Sequence, residues 1–78
     1  MMSSGQLEKK YDIFIADDSY YNPLTHRFVK AYKYYSADGC LFSKGLRTMK
    51  AVAEDCQYWS KRLLAIKKTV KEWKEEVR

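Results

Sequence analysis

The sequence has few of the residues that interrupt regular structure or bind metals. Its 78 residues include one proline, three glycines, two cysteines and one histidine. It has no GxxxxGKS/T, GxGxxG or HExxH motif, and therefore no recognisable nucleotide-binding loop or zinc-protease helix. Its apolar runs are far shorter than the roughly 20 residues needed to cross a bilayer. We therefore expect a protein without a cofactor, a bound metal or a contact with membranes.

The cysteines and the histidine do not form a recognisable catalytic or zinc-binding set. Cys40 and Cys56 have no CxxC spacing and no second histidine, so a zinc site would lack ligands. His26 has no serine or cysteine beside it in a recognisable catalytic setting. A core this small can also scarcely enclose a catalytic pocket of several hundred cubic ångströms. We therefore expect a non-enzymatic protein with reduced thiols, located in the cytoplasm.

The composition is that of one small folded domain with an excess of tyrosine. Hydrophobic residues make up 46% of the chain and charged residues 32%, as is usual for globular proteins. Seven tyrosines outnumber the three phenylalanines and two tryptophans together. Tyrosine favours half-exposed surfaces and interfaces because its ring has a polar tip. The formal net charge of +5 weakly favours acidic partners.

The first 18 residues divide into two segments. Residues 1–10, MMSSGQLEKK, are polar and show no hydrophobic period, which predicts a flexible lead-in. Residues 11–18, YDIFIADD, alternate between two faces and are rich in β-branched and aromatic residues, which predicts a strand. Three acids, Asp12, Asp17 and Asp18, lie in this segment. They are more typical of turn hydrogen bonds than of a metal site, since no glycine-rich loop accompanies them.

Residues 24–43 fit either two strands or a helix. In the first interpretation, RFVKAYKYYS pairs with CLFS through a turn at Ala37-Asp38-Gly39. In the second, five residues share one helical face: Leu24, Phe28, Ala31, Tyr32 and Tyr35. We favour strands because of the Val, Phe and Tyr content and because the first strand needs a hydrogen-bonding partner. The remaining alternative is a mostly α protein, a helical hairpin with one short N-terminal strand.

The C-terminal third predicts one long amphipathic helix. Nine apolar residues alternate steps of three and four: Met49, Val52, Cys56, Trp59, Leu63, Ile66, Val70, Trp73 and Val77. Thr48 or Ser43 could cap its start. A helix over residues 48–77 would be about 45 Å long at 1.5 Å per residue, longer than a small sheet can cover. The expected fold is therefore α+β, a three-stranded antiparallel sheet followed by this helix.

The excess length of the helix predicts that its distal apolar residues contact something else. The partner would be another protein or a second copy, forming a homodimer, unless the helix folds back at a break near Lys67-Lys68. We expect two protein-binding surfaces, on the sheet and on the distal helix, formed by Tyr32, Tyr34, Tyr35, Lys30, Lys33, Ile66, Val70 and Trp73. The preferred function is stoichiometric inhibition or regulation of a larger macromolecular complex. Phage-encoded anti-defence proteins, anti-CRISPR proteins among them, are analogous in size and character.

The alternative function is that of a nucleic-acid-binding accessory protein. Cations interleaved with aromatic side chains can clamp single-stranded nucleic acid by phosphate contact and stacking. The candidate residues are Arg27, Lys30, Lys33, Lys61, Arg62, Lys67, Lys68 and Lys71. Three acids, Glu72, Glu75 and Glu76, lie among the helical cations at spacings that favour a solvated face. The helix is therefore the weaker part of this candidate surface.

Overall fold

The structure, a computed structural model, describes residues 3–76. Its elements in chain order are α1 (Ser4–Tyr11), β1 (Phe14–Asp17), β2 (Tyr20–Asn22), β3 (Arg27–Val29), β4 (Tyr32–Tyr35), β5 (Leu41–Leu46), α2 (Met49–Tyr58) and α3 (Ser60–Glu76). The predicted α+β class, with an antiparallel three-stranded sheet before a long C-terminal helix, is confirmed. The helical-hairpin alternative is wrong. Within residues 3–76 no helix combines the length and the apolar character needed to span a bilayer.

The three-stranded sheet has the order β1-β4-β5, with both pairings antiparallel. Phe14 of β1 lies opposite Tyr35 of β4, which in turn lies opposite Leu41 of β5. The turn between β4 and β5 closes where the Ser36 N–H donates to the Cys40 carbonyl at 3.0 Å. Gly39 occupies the left-handed position of this turn, at φ +84°. The turn predicted from Ala37-Asp38-Gly39 is confirmed, since this three-residue loop requires a positive φ at its last position.

The predicted strand over residues 27–36 is divided into β3 and β4, which belong to different sheets. β3 pairs back with β2 as a separate hairpin, a pairing that the sequence interpretation missed. The division occurs at Ala31, which is buried. Its N–H donates to the Ser19 hydroxyl at 3.1 Å, and its carbonyl accepts from the Asp18 N–H at 2.9 Å. These bonds anchor the base of the β2–β3 hairpin to the main sheet.

The first helix corrects the expectation of a flexible lead-in over residues 1–10. Residues 4–11 form α1, and the Ser3 hydroxyl and the Gln6 side chain each accept from the other residue's backbone N–H. This reciprocal pairing is a capping box, which stabilises a helix start. Leu7 and Tyr11 of α1 are buried in the core. A helix of two turns is too short to show a hydrophobic period, and residues 1–2 lie outside the described part of the chain.

The predicted single helix over residues 48–77 is interrupted at Trp59. Thr48 caps α2 by accepting the Ala51 N–H at 3.0 Å, as expected. At Trp59 the backbone leaves the helical region (φ −98°, ψ 17°), and α3 begins at the next residue. No glycine or proline lies there, and α3 continues through Lys67-Lys68 without the break considered at that point. Val77 lies outside the described residues.

The core lies between the helices and one face of the three-stranded sheet. Its buried residues are Leu7, Tyr11, Ile13, Tyr34, Val52, Cys56 and Leu63. The backbone of α2 lies close to β4 and β5 and that of α1 to β1, whereas the backbone of α3 lies close to α1 and α2. The buried residues of all three helices join one cluster with Tyr34, so within residues 3–76 the helices pack on that face of the sheet, while Phe14 on the opposite face is 62% exposed.

Candidate protein-binding surface

Three large side chains form a row across the uncovered face of the sheet. Successive residues of a strand point to opposite faces, so Phe14 and Tyr35 lie on the opposite face from the core residues Ile15 and Tyr34. Phe14 is 62% exposed and Leu41 is 49% exposed, while Tyr35 between them is half-buried. The ring centroids of Phe14 and Tyr35 are 6.2 Å apart. We call Phe14, Tyr35 and Leu41 the outer row.

Charges of both signs border the outer row. An open groove of about 710 Å³ lies beside Phe14 and Tyr35 of this row and is also lined by Asp12, Asp17 and Lys33. The Lys33 ammonium lies 5.9 Å from the centre of the Tyr35 ring. Hydrogen bonds from the Ser19 side chain and backbone lower the pKa of Asp17, so this carboxylate stays ionised at neutral pH. An apolar centre with a charged border is the usual anatomy of a protein–protein interface.

A second groove lies on the other side of the β4–β5 turn. It has a volume of about 440 Å³ and is lined by Ala37, Asp38, Val70, Trp73 and Lys74, which we call the Trp73 groove. Trp73 is 54% exposed. Ala37 lines both this groove and the one along the outer row. The turn therefore joins the two apolar surfaces into one candidate binding region.

The predicted sheet surface is divided between the two faces of β4. Tyr35 and Lys33 lie on the uncovered face, as the expected surface requires. Tyr34 is fully buried, so the prediction that it binds a partner is wrong. Tyr32 is half-buried against the core, with the Lys30 ammonium 5.4 Å from its ring centre. The three tyrosines could not form one surface, because alternate strand residues point in opposite directions.

The predicted helical surface is largely covered by the chain itself. Val70 is buried and Ile66 is half-buried, so the expectation that Val70 needs cover from another chain is wrong. Trp73 remains the exposed member of this predicted set. The Lys67 ammonium lies 3.5 Å from the Lys10 carbonyl of α1, which shows how closely the overlooked first helix approaches α3. The helices α1 and α3 therefore lie against each other.

Several exposed apolar residues were not identified from the sequence. Phe14 and Leu41 complete the outer row, and Tyr58 and Trp59 form an edge-to-face pair at the helix break, with centroids 4.9 Å apart. The sequence contains a signal for Phe14, because the alternation in YDIFIADD places its side chain on the other face of the strand from Ile13 and Ile15. Tyr58 lies outside the apolar stripe of the predicted helix, as its exposure requires, whereas Trp59 belongs to the stripe and no local signal marks its exposure.

The residues predicted for nucleic-acid binding lie on three separate surfaces. Arg27 and Lys30 border a groove beside the β2–β3 hairpin, whereas Lys33 lies on the uncovered sheet face. The remaining five belong to α3: Lys61, Arg62, Lys67, Lys68 and Lys71. None of these α3 cations lines the hairpin groove. The structure therefore does not bring the eight residues together.

Within residues 3–76, no three His, Cys, Asp or Glu side chains are grouped so that they could hold a metal ion. Comparisons with protein families, with curated proteins and with solved structures found no match to this chain.

Proposed function

We propose that this protein is a non-enzymatic, cytoplasmic binding protein that inhibits or regulates a larger macromolecular complex by stoichiometric contact with a protein. The binding surface in this proposal is the outer row together with the Trp73 groove. The single observation that carries it is the position of Phe14, Tyr35 and Leu41 in one row on a sheet face without a covering helix. Exposed apolar rows of this kind favour association, because burying them removes apolar surface from water.

The chemistry of the surface favours a protein over other classes of partner. Asp12 and Asp17 beside the outer row would repel a polyanion there, while Lys33 supplies the opposite charge. Aromatic side chains such as Phe14 and Trp73 are typical anchor residues of protein interfaces. The partner expected from this arrangement has an apolar centre, with charges at its border that complement both signs.

An anti-defence role, in which a phage encodes the protein to inhibit a host complex, is one form of this proposal. Its support is the small size of the chain and the absence of catalytic motifs from the sequence. A second copy of the chain, forming a homodimer through α3 and the Trp73 groove, is the alternative occupant. The two occupants are distinguished by the partner that is captured and by the oligomeric state of the free protein.

The test is a comparison of two leucine truncations with nearly equal exposure. Leu41 in the outer row is 49% exposed, and Leu64 on α3, which belongs neither to the outer row nor to the Trp73 groove, is 45% exposed. Tagged protein would be used to capture partners from nuclease-treated host lysate, and the affinity of the captured protein would then be measured for each variant. We expect Leu41→Ala to weaken binding about tenfold, which is about 1.4 kcal/mol, and Leu64→Ala to leave it unchanged.

Equal losses in the two variants would overturn the assignment of the surface. Failure to capture a protein other than a second copy, under conditions in which the tagged chain is folded, would overturn the proposed function. Phe14→Ala gives an independent check, because Phe14 is 62% exposed and its removal creates little cavity.

A further inference from the structure

The β2–β3 hairpin extends from the body of the molecule. Its two strands contact each other but no other helix or strand of the described chain. The side chains of Tyr21 and Phe28, opposite each other in the hairpin, are exposed, Phe28 by 70%. The bonds of Ala31 to Ser19 and Asp18 hold the base of the hairpin in place. The exposed Tyr21 and Phe28 rings of this hairpin are therefore available for contact with a ligand.

The part of the chain that contains the hairpin has an excess of positive charge. Residues 19–53 include one acid, Asp38, and six cations: Arg27, Lys30, Lys33, Lys44, Arg47 and Lys50. Asp38 lies in the β4–β5 turn and borders the Trp73 groove. Asp17 and Asp18 come directly before this segment, and Asp17 is close enough to Lys30 for their charges to interact, so the positive charge is only partly balanced.

Three of these cations converge on one groove beside the hairpin. The groove has a volume of about 600 Å³ and is lined by Arg27 of β3, Lys30 after it and Arg47 from the link between β5 and α2, together with Phe28. Its other lining residues are polar or apolar, and no acid is among them. Asp18, a nearby acid of the sheet, accepts a hydrogen bond from the Gly45 N–H at 3.3 Å.

We propose that this hairpin groove binds single-stranded nucleic acid. A base would stack on the exposed Phe28 ring, and the flanking phosphates would contact Arg27, Lys30 and Arg47. An acidic peptide would use the cations but gain little from the flat face of Phe28, whereas every nucleobase has a face that stacks on it. The site is separate from the outer row and does not rest on the proposed protein contact.

The test measures fluorescence anisotropy of labelled oligonucleotides of about 15 thymidines or uridines, at 50 and 200 mM salt. With three phosphate contacts, the slope of log affinity against log salt should be about −2, a loss of about twentyfold across this range. Phe28→Ala should weaken binding about tenfold at both salt concentrations. Arg47→Ala should make the slope less steep by about 0.7, because one phosphate contact is lost.

Two matched variants serve as controls. Leu24→Ala truncates an almost fully exposed apolar side chain at the tip of the same hairpin, and Lys71→Ala removes an exposed cation from α3. Both should bind like the wild type. The deoxyribose and ribose oligomers together show whether DNA, RNA or both are bound.

Three results would overturn the proposal. The first is absence of binding at 50 mM salt by protein with the wild-type circular dichroism spectrum. The second is weaker oligonucleotide binding by Arg47→Ala with unchanged binding by Phe28→Ala, because binding would then not involve stacking. The third is equal or tighter binding of a glutamate-rich peptide or of a duplex of the same length. The outer-row variant Leu41→Ala should leave oligonucleotide binding unchanged, so failure of one proposal does not imply failure of the other.

Discussion

At the scale of single residues, Tyr34 connects the sheet to α2. Its ring is fully buried and stacks on Phe42 with centroids 5.5 Å apart, and its hydroxyl donates to the Asp55 carboxylate. Burial, with the hydrogen bond to Asp55 as a second cause, raises the pKa of Tyr34 far above its usual value. The hydroxyl therefore stays protonated and continues to donate at neutral pH.

Removal of that hydroxyl should destabilise the fold measurably. We expect Tyr34→Phe to lower the free energy of unfolding by about 1–2 kcal/mol, because the half-buried Asp55 carboxylate loses a donor. The matched change Tyr35→Phe, on the uncovered face of the same strand, should cost less than about 0.5 kcal/mol. Urea unfolding of the two variants measures the difference. Equal costs would show that the buried hydrogen bond is not stabilising.

The Cys56 thiol should make stability depend on alkaline pH. Burial raises its pKa from the ordinary 9.0 to about 11. Between these values the unfolded chain has lost the proton while the folded protein retains it, so the stabilisation is full below pH 9 and falls as the pH rises to 11. Urea unfolding at several pH values should show that the free energy of unfolding declines less with rising pH in Cys56→Ala than in the wild type. Parallel declines would contradict a buried neutral thiol.

At the scale of elements, α1 supplies core residues and also protects the edge strand β1. Leu7 and Tyr11 enter the core, and the Glu8 carboxylate accepts the Ile15 N–H of β1 at 2.9 Å. A strand at the edge of a sheet leaves backbone groups unpaired, which favours pairing with other chains. The side chain of Glu8 occupies one of these groups, so α1 limits uncontrolled strand addition at β1.

A truncation in α1 tests whether this helix belongs to the cooperative fold. Leu7→Ala should lower the free energy of unfolding by about 2–4 kcal/mol, because it leaves a cavity between α1 and the rest of the core. Leu64→Ala, at an exposed position of α3, should change it by less than about 1 kcal/mol. Thermal and urea unfolding provide the comparison. An equally small effect at Leu7 would indicate that α1 does not contribute to the core.

At the scale of the whole molecule, the shape is elongated. The principal extents are 51 × 25 × 18 Å. Because the helices cover one face of the main sheet and the hairpin contacts no other element, apolar surface remains exposed in both places. Ten large apolar side chains among residues 3–76 are exposed, and those that form a contiguous patch favour association.

The oligomeric state of the free protein shows whether a second copy covers the exposed apolar surface. Because Val70 is already buried within its own chain, we expect the free protein to sediment as a monomer between about 10 and 200 µM. A concentration-dependent dimer that is lost in Trp73→Ala would instead identify a second copy as the occupant of the Trp73 groove. Leu64→Ala is the control for non-specific effects of truncating an apolar residue on α3.

Local patterns in the sequence predicted the elements whose signals lie within a few residues. The three-residue turn at Gly39, the Thr48 cap and the alternation of β1 depend on neighbouring residues, so they could be identified without the fold. The exposed position of Phe14 follows from the same alternation. The helix α1 was missed although its Ser3–Gln6 capping box is also local, because two buried residues make no visible period.

The sequence by itself determined the α+β class, because strand alternation and helical periodicity are properties of neighbouring residues. Only the tertiary structure decided that Tyr34 is buried, that the chain changes sheets at Ala31 and that the long helix is interrupted at Trp59. The first two depend on contacts between distant segments, with Asp55 and with Ser19, and the Trp59 ring at the interruption lies 6.0 Å from the Phe42 ring of β5. Such contacts can override local propensity, because burial and hydrogen bonding outweigh the small preferences of single residues.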